Sequence, residues 1–260
     1  MLLTSGVAGF VAERARPLLR GALDLLLPRA CVACDRPLDG AETGVVCGRC
    51  WARLVPLPSP RCERCGHPRK RGRCTWCDLL PPFIRAVRSV CWLPGGSGGP
   101  IIHALKYGGW TAAAPAIARR MARLAWPDDV VAERTALVPI PLAKERERER
   151  GFNQSALLAA ELGAIWRLPV WSAVVERGRA TRTQTQLTPS ERSSNVAGAF
   201  RATAGARTSL RGAHIILVDD VITTGSTLNA CADTLFEAGA RILSYVTFGR
   251  APASGDRTGP

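Results

Sequence analysis

Four apolar residues, Ile215 to Val218, run directly into two adjacent carboxylates, Asp219 and Asp220, and five small residues follow at Thr223 to Thr227. Core packing has no use for that sequence, because buried ionised groups are costly unless something pairs with them. "HIILVDD" has the short, continuous apolar character of a strand buried on both faces, and "GSTLNACADTLFEAG" behind it has helical periodicity. The alternation extends back to "DLLPPF". Here "IRAVRSVCWL", "TALVPIP", "WSAVVER" and "ARILSYVTFG" read as strands, and "GPIIHALKYGG", "AAAPAIARRMARLAW" and "NQSALLAAELGAIW" as helices. An α/β fold is predicted, a parallel sheet covered on both faces, with ligands at the carboxyl ends of its strands.

That rule gives the carboxylates a purpose. The strand is expected to end at Asp219 and Asp220 and the next helix to start near Thr227, which leaves the small residues at a helix N-terminus. Unpaired N–H groups and the positive end of the helix dipole meet there and suit a phosphate. Gly225 allows close approach to the backbone, and the hydroxyls of Thr223, Thr224, Ser226 and Thr227 add donors without bulk. The carboxylates accept hydrogen bonds from the same crevice. A ribose 5-phosphate moiety fits both halves, its phosphate on the loop and its 2- and 3-hydroxyls on the carboxylates. Other nucleotide motifs do not fit: there is no GxxxxGK[ST], and "GGSGG" at 95–99 does not match GxGxxG.

The first third of the chain is built differently. Eight of ten cysteines fall there in four CxxC pairs: Cys31/Cys34, Cys47/Cys50, Cys62/Cys65 and Cys74/Cys77. The chain between them, as in "CDRPLDG" and "CGHPRKRGRC", offers little to bury, so a metal has to stand in for a core. Two CxxC turns supply the four thiolates of a structural zinc. Their order suggests two tetrathiolate sites, with 12 residues between the first two pairs and 8 between the second two, and interleaved pairing stays open. A disulfide framework is the alternative, and it needs an oxidising compartment. His67 has no vacancy to fill beside eight thiolates, and the lone Cys91 and Cys231 read as buried thiols.

Charge is lopsided, with 35 Lys plus Arg against 21 Asp plus Glu. That favours phosphorylated or polyanionic partners, because the guanidinium fork matches phosphate; an Arg-rich background composition accounts for it equally well. Single-stranded DNA is one such candidate partner, with Trp51 and Trp76 as stacking platforms or as packing against the metal knuckles, and with Arg69, Lys70, Arg71 and Arg73 as basic contacts. Residues 1–30 read as an amphipathic helix, too interrupted by charge to span a membrane, and the absence of a targeting signal predicts a cytoplasmic protein. "KERERER", 144–150, reads as a solvated segment laced with ion pairs or as a phosphate grip, and Lys106 beside Tyr107 as a surface lysine next to a half-buried tyrosine that could still reach the site.

"ILVDDVITTGST" resembles the phosphoribosyl diphosphate (PRPP) signature of the type I phosphoribosyltransferases. "LLLPRAC", "IIHALKYGG", "LVPIPL", "RERGFNQSALLA" and "TRTQTQLTPSERSSNVAGAF" are similar, in the same order, to its ComF-type branch, which is associated with natural DNA uptake. The resemblance covers all but the last ten or so residues. It implies a type I phosphoribosyltransferase-like sheet with flanking helices plus a small zinc-ribbon module. The limits are 31–80 for the module, 81–250 for the phosphoribosyltransferase domain and 251–260 for a disordered tail. It implies that Asp219 and Asp220 are the catalytic carboxylates on the ribose and that Thr223, Thr224, Gly225, Ser226 and Thr227 hold the 5-phosphate. Pro139, Ile140 and Pro141 would form the diphosphate loop, and a hood from about Arg177 to Phe200 would bring Arg179, Arg182 and Arg192. Two structural zinc ions, Mg²⁺ with PRPP, a nucleobase-like acceptor and competence-machinery partners complete the expectation.

Overall fold

The computed structural model describes residues 29–39, 42, 44–69, 74–178 and 198–252. Nearly all of the expected N-terminal helix, most of the expected tail, Lys70, Arg71 and Arg73, and the expected hood residues Arg179, Arg182 and Arg192 lie outside these.

Among the described residues the elements run α1 (Gly48–Ala52), β1 (Leu54–Pro56), a 3-10 turn (Thr75–Leu79), β2 (Ile84–Gly96), α2 (Gly98–Tyr107), α3 (Ala114–Ala122), α4 (Asp128–Glu133) and β3 (Arg134–Pro139). They continue with α5 (Lys144–Arg150), α6 (Gln154–Trp166), β4 (Val175–Arg177), β5 (Phe200–Ala202), α7 (Ala206–Leu210), β6 (His214–Ile222), α8 (Ser226–Glu237) and β7 (Ile242–Arg250). The main sheet has the order β1-β2-β7-β6-β3, parallel except for β1, which pairs antiparallel with β2 at its edge. "WSAVVER" touches it only at its first residue, where the Trp171 N–H donates to the Leu137 carbonyl of β3 (2.8 Å). Its strand β4 pairs antiparallel with β5 in a separate two-stranded ribbon.

Alternation along β6 sorts the core. Ile215 and Leu217 face one layer with α8, and Ile216 and Val218 face the other with α2, α3 and α6. The same parity sends Asp219 toward the first layer and Asp220 toward the second. At the amino end of β6, His214 is buried and its Nε2 lies 3.0 Å from Ser244 Oγ.

Each metal knuckle belongs to one of these layers. Cys31, Cys47 and Cys50 pack with Ile101, Leu105 and Phe248, whereas Cys65 packs with Val87, Leu228 and Tyr245. The second knuckle is further tied to the sheet by arginines. Arg64 donates to the carbonyls of Ile84 (2.9 Å) and Pro81 (2.6 Å), Arg88 to Glu63 (2.9 Å) and the buried Arg250 to Cys65 (2.6 Å). Gly66, at φ 66°, lets it approach so closely that a Cβ would lie 2.4 Å from the Val87 carbonyl oxygen. A module that unfolds by itself, leaving the sheet intact, is therefore not what this packing allows. Elemental analysis is expected to find about two zinc ions per chain. Chelation, or Cys62→Ser, should lower the melting temperature of the whole chain in one transition; an unmoved sheet transition beside a lost module would refute the shared core.

Burial holds His214 neutral, down to a pKa of about 4 from 6.5. Between those pH values the unfolded chain takes up a proton that the folded chain does not, so stability falls as pH falls through this window. Removing the imidazole in His214→Gln should flatten that limb relative to wild type, by on the order of 2 kcal/mol in chemical denaturation at pH 4 against pH 7.

Candidate active site at the carboxyl end of the sheet

The β3–β6 ladder ends at Pro139 and Val218, but β6 continues beside β7 as far as Ile222. Asp219 and Asp220 therefore lie inside the strand, not after it, at a place where one neighbouring strand is missing. A cavity of about 830 Å³ opens there. Its wall includes Asp219, Asp220 and Thr223–Thr227 from β6 and the following loop, Ile140 from the end of β3, and Arg177 from β4. Pro139 is buried and Pro141 half-buried outside the lining.

α8 starts at Ser226, one residue earlier than expected, and Gly225 precedes it at φ 82°. Thr224 Oγ1 lies 2.8 Å from Ser226 Oγ, and the Ser226 N–H points at Thr224 Oγ1 from 3.4 Å. A Cβ on Gly225 would meet no atom closer than 3.7 Å, so its constraint is the left-handed backbone and the loop surface it leaves bare. Further along α8, Asn229 donates to the Leu79 carbonyl (2.7 Å) and accepts from Tyr245 (3.0 Å), which fixes the helix against the second knuckle.

The carboxylates are held by residues that the DD motif did not predict. Asn153 caps α6, accepting from the N–H groups of Ser155 (2.9 Å) and Ala156 (3.3 Å) and donating to the Ile140 carbonyl (3.0 Å). The cap delivers Ser155 Oγ to Asp219 Oδ1 (2.8 Å) and Gln154 Nε2 to Asp220 Oδ1 (3.4 Å), with Arg150 Nη1 on Gln154 Oε1 (2.5 Å). Their trace in the sequence is the run Asn153-Gln154-Ser155, which opens an apolar helix with polar residues that become buried. Lys106 does reach the site. It is not a surface lysine: its side chain is 22% exposed and its ammonium pairs with Asp220 Oδ2. Tyr107 is the exposed one, at 67%, with the Arg150 guanidinium 5.2 Å from its ring centre.

"KERERER" forms α5, and among the described residues its charges form no ion pair with one another. Arg146, Glu149 and Arg150 line the cavity instead. With Lys106 and Arg177 that makes four basic side chains against three acidic ones, Glu149, Asp219 and Asp220. Burial, and then the Asp220 charge, raise the Asp219 carboxyl to a pKa of about 8 against the pull of Lys106 and Ser155. Lys106 keeps its charge although burial opposes it, because both carboxylates hold its pKa above the ordinary value.

The cysteines form two sequential clusters, Cys31/Cys34/Cys47/Cys50 and Cys62/Cys65/Cys74/Cys77, in each of which all four sulfurs lie within 4.8 Å of one another. Tetrahedral zinc with Zn–S of about 2.3 Å has S–S edges of roughly 3.8 Å; Cys34–Cys47 measures 3.8 Å, Cys62–Cys77 3.5 Å and Cys65–Cys74 3.4 Å. The donor set thus fits two structural zinc ions, and none of the ten cysteines is bridged. His67 stays out, stacked on Trp76 and edge-on to Trp92. Trp76 is 3% exposed under Arg250, so it is a packing residue, whereas Trp51 is half-buried under Arg120. Cys91 and Cys231 are buried as expected. Among the described residues no helix is long and apolar enough to cross a membrane.

Residues 22–80 match the family model for a double zinc ribbon domain, and residues 150–257 that for a phosphoribosyl transferase domain. The DNA utilization protein YhgH of Escherichia coli (strain K12) is 34% identical over 232 residues, 83% of this chain and 94% of that protein. The chain belongs to the YhgH/ComF family. Competence protein F of Haemophilus influenzae is 35% identical over 116 residues (45% of this chain, 50% of that one), and competence protein ComFC of Bacillus subtilis 40% identical over 103 residues (40% and 39%). Among solved structures, the glutamine PRPP amidotransferase of B. subtilis aligns at 20% identity and a TM-score of 0.34, over 52% of this chain and 26% of that chain. The α/β sheet with its double zinc ribbon is the architecture of this family member, built as a phosphoribosyltransferase fold.

The two carboxylates are not equivalent, and melting curves should say so. Asp219→Asn keeps an acceptor for Ser155 and replaces a carboxyl that is already largely protonated near pH 7, so its melting temperature there is expected close to wild type. Asp220→Asn strands the Lys106 ammonium. Its cost should lie below the ~3–5 kcal/mol of a fully buried broken pair, because Lys106 keeps some exposure. Equal melting temperatures for both variants would contradict this asymmetry.

Proposed function

We propose that the cavity binds PRPP and that the protein transfers its ribose 5-phosphate to a nitrogen nucleophile. The observation that carries this reading is the meeting, in one cavity, of a small-residue loop at the N-terminus of α8 with the two carboxylates that precede it by way of Val221 and Ile222. Thr223 to Thr227 would receive the 5-phosphate through backbone N–H groups and hydroxyls. Asp219 and Asp220 would accept from the ribose hydroxyls, and Ile140 would lie at the diphosphate. The carboxyl half of β6 and the opening of α8 thus serve as the phosphoribosyl pocket within domain limits of 31–80 and 81–250.

In the reaction the bond from the anomeric carbon to the diphosphate oxygen breaks, and the acceptor's lone pair forms the new C–N bond. Positive charge grows on the sugar and negative charge on the leaving group. Mg²⁺, held mainly by the substrate's own oxygens, would supply further neutralisation. Arg146, Arg150 and Arg177 stand ready for the leaving group, and a near balance of basic and acidic side chains leaves room for Arg179, Arg182 and Arg192 to contribute. The relatives' names extend the reading to DNA utilization and competence. The strongly basic composition suits a nucleic-acid partner, and an alternative role without turnover, sensing PRPP or holding single-stranded DNA, is separated by assaying diphosphate release with a panel of nucleobases.

Titration of PRPP with Mg²⁺ tests the pocket. Replacing either aspartate by Asn should weaken binding about ten- to a hundredfold, since a charge-assisted hydrogen bond is worth roughly 1.5–3 kcal/mol. Gly225→Val should do at least as much harm by placing a branched side chain at φ 82° on the loop surface. Affinity should also rise with pH up to about 8, as Asp219 gives up the proton that burial holds there. Wild-type affinity in both Asn variants, with no pH dependence near 8, would remove the assignment.

A further inference from the structure

The segment around Lys106 enters the site from the side opposite the phosphate loop. α2 is fixed at both ends. At its start, the Ser97 hydroxyl donates to the Cys50 carbonyl of the first knuckle. Along its length Ile101, Ile102 and Leu105 are buried in the layer shared with that knuckle. At its end, Lys106 reaches Asp220 Oδ2 on the sheet face to which strand alternation sends Asp220. The Asp220 side chain is 4% exposed, and its other oxygen receives only the long 3.4 Å contact from Gln154.

We propose that Lys106 is a positioning residue for the PRPP site: it clamps Asp220 through Oδ2 and turns Oδ1 toward the cavity, where a ribose hydroxyl can donate to it. The proposal rests on the reading of the cavity as a PRPP pocket. Without the ammonium, a buried carboxylate loses the cation it is paired with. The groups that face it are Asp219 on β6, Gln154 and Ser155 on α6, Tyr107 on α2, and, across the cavity, Arg146, Glu149 and Arg150 on α5 and Arg177 on β4. Asp219 is acidic, and Arg150 is engaged by Gln154. A lone carboxylate here would have no ammonium to hold its orientation, and its affinity for a hydroxyl donor would fall accordingly.

Two measurements test this, one of them without ligand. In Lys106→Met the Asp220 carboxylate stays buried and loses its counter-charge, so the folded chain should melt below wild type. The melting-temperature gap is expected to be roughly 5 °C, and to close in the Lys106→Met/Asp220→Asn double variant. Calorimetric titration should show PRPP binding about tenfold weaker in Lys106→Met at pH 7.5; Lys106→Arg should restore most of both. A gap that persists in the double variant overturns the clamp. So does an unchanged PRPP affinity in Lys106→Met when the wild-type protein binds PRPP. If wild type does not bind PRPP, the pocket reading fails by itself, and the melting cycle still decides whether Lys106 holds Asp220.

Discussion

The candidate site depends on one strand outrunning its neighbour. β3 stops at Pro139 opposite Val218, and β6 goes on for four more residues with β7 on one side only. Had β3 continued, its backbone and side chains would fill the space where the cavity opens. Because it stops, two adjacent strand residues can point to opposite faces of the sheet and still line one cavity that wraps around the free edge. The small residues that follow bring the chain back toward α8 without filling that space.

The two metal knuckles are the counterpart of this arrangement on a larger scale, one packed against each face. The first sits at the start of α2, the helix that carries Lys106 to Asp220. The second is tied by Leu79 and Asn229 to α8, the helix that opens at the small-residue loop. Each half of the cavity thus leans on one tetrathiolate cluster. These two links, Ser97 to Cys50 and Asn229 to Leu79, are neutral hydrogen bonds, which transmit position and not charge. A chain whose first third has little to bury gains a framework in this way, and the sheet gains walls that its own helices do not supply.

Most of the fold was legible in the sequence because it is written in short-range patterns. Continuous apolar runs marked β2, β3, β6 and β7; helical spacing marked α2, α3, α6 and α8; and paired CxxC turns marked both clusters, though not which pairs shared a metal. "WSAVVER" misled, since a run of three extended residues looks the same whether its partner is the main sheet or β5. In the site, Asp219, Asp220 and the loop declared themselves through an unusual local composition. Gln154 and Ser155 did not, and Lys106, Arg146 and Arg150 were legible only as one of two readings. Each is an ordinary residue in its own helix, and its role comes from where the helix ends point, which tertiary packing decides.

That division explains the electrostatics of the site. Two carboxylates side by side on a buried strand repel each other and lose hydration, and neither cost can be met by residues nearby in sequence, since the strand neighbours are apolar. The compensation has to be brought from a distance: a hydroxyl and an amide from the cap of α6, an ammonium from the end of α2. It is also uneven. Asp220, enclosed on its own face, receives the full charge of Lys106, whereas Asp219, closer to the opening, receives a neutral donor and keeps its proton to about pH 8. A pair prepared in this way has one acceptor fixed before a ligand arrives and one that becomes a full acceptor only as its proton leaves. Neutral hydroxyls approaching both can then be held without leaving a second bare charge inside the sheet while the cavity is free.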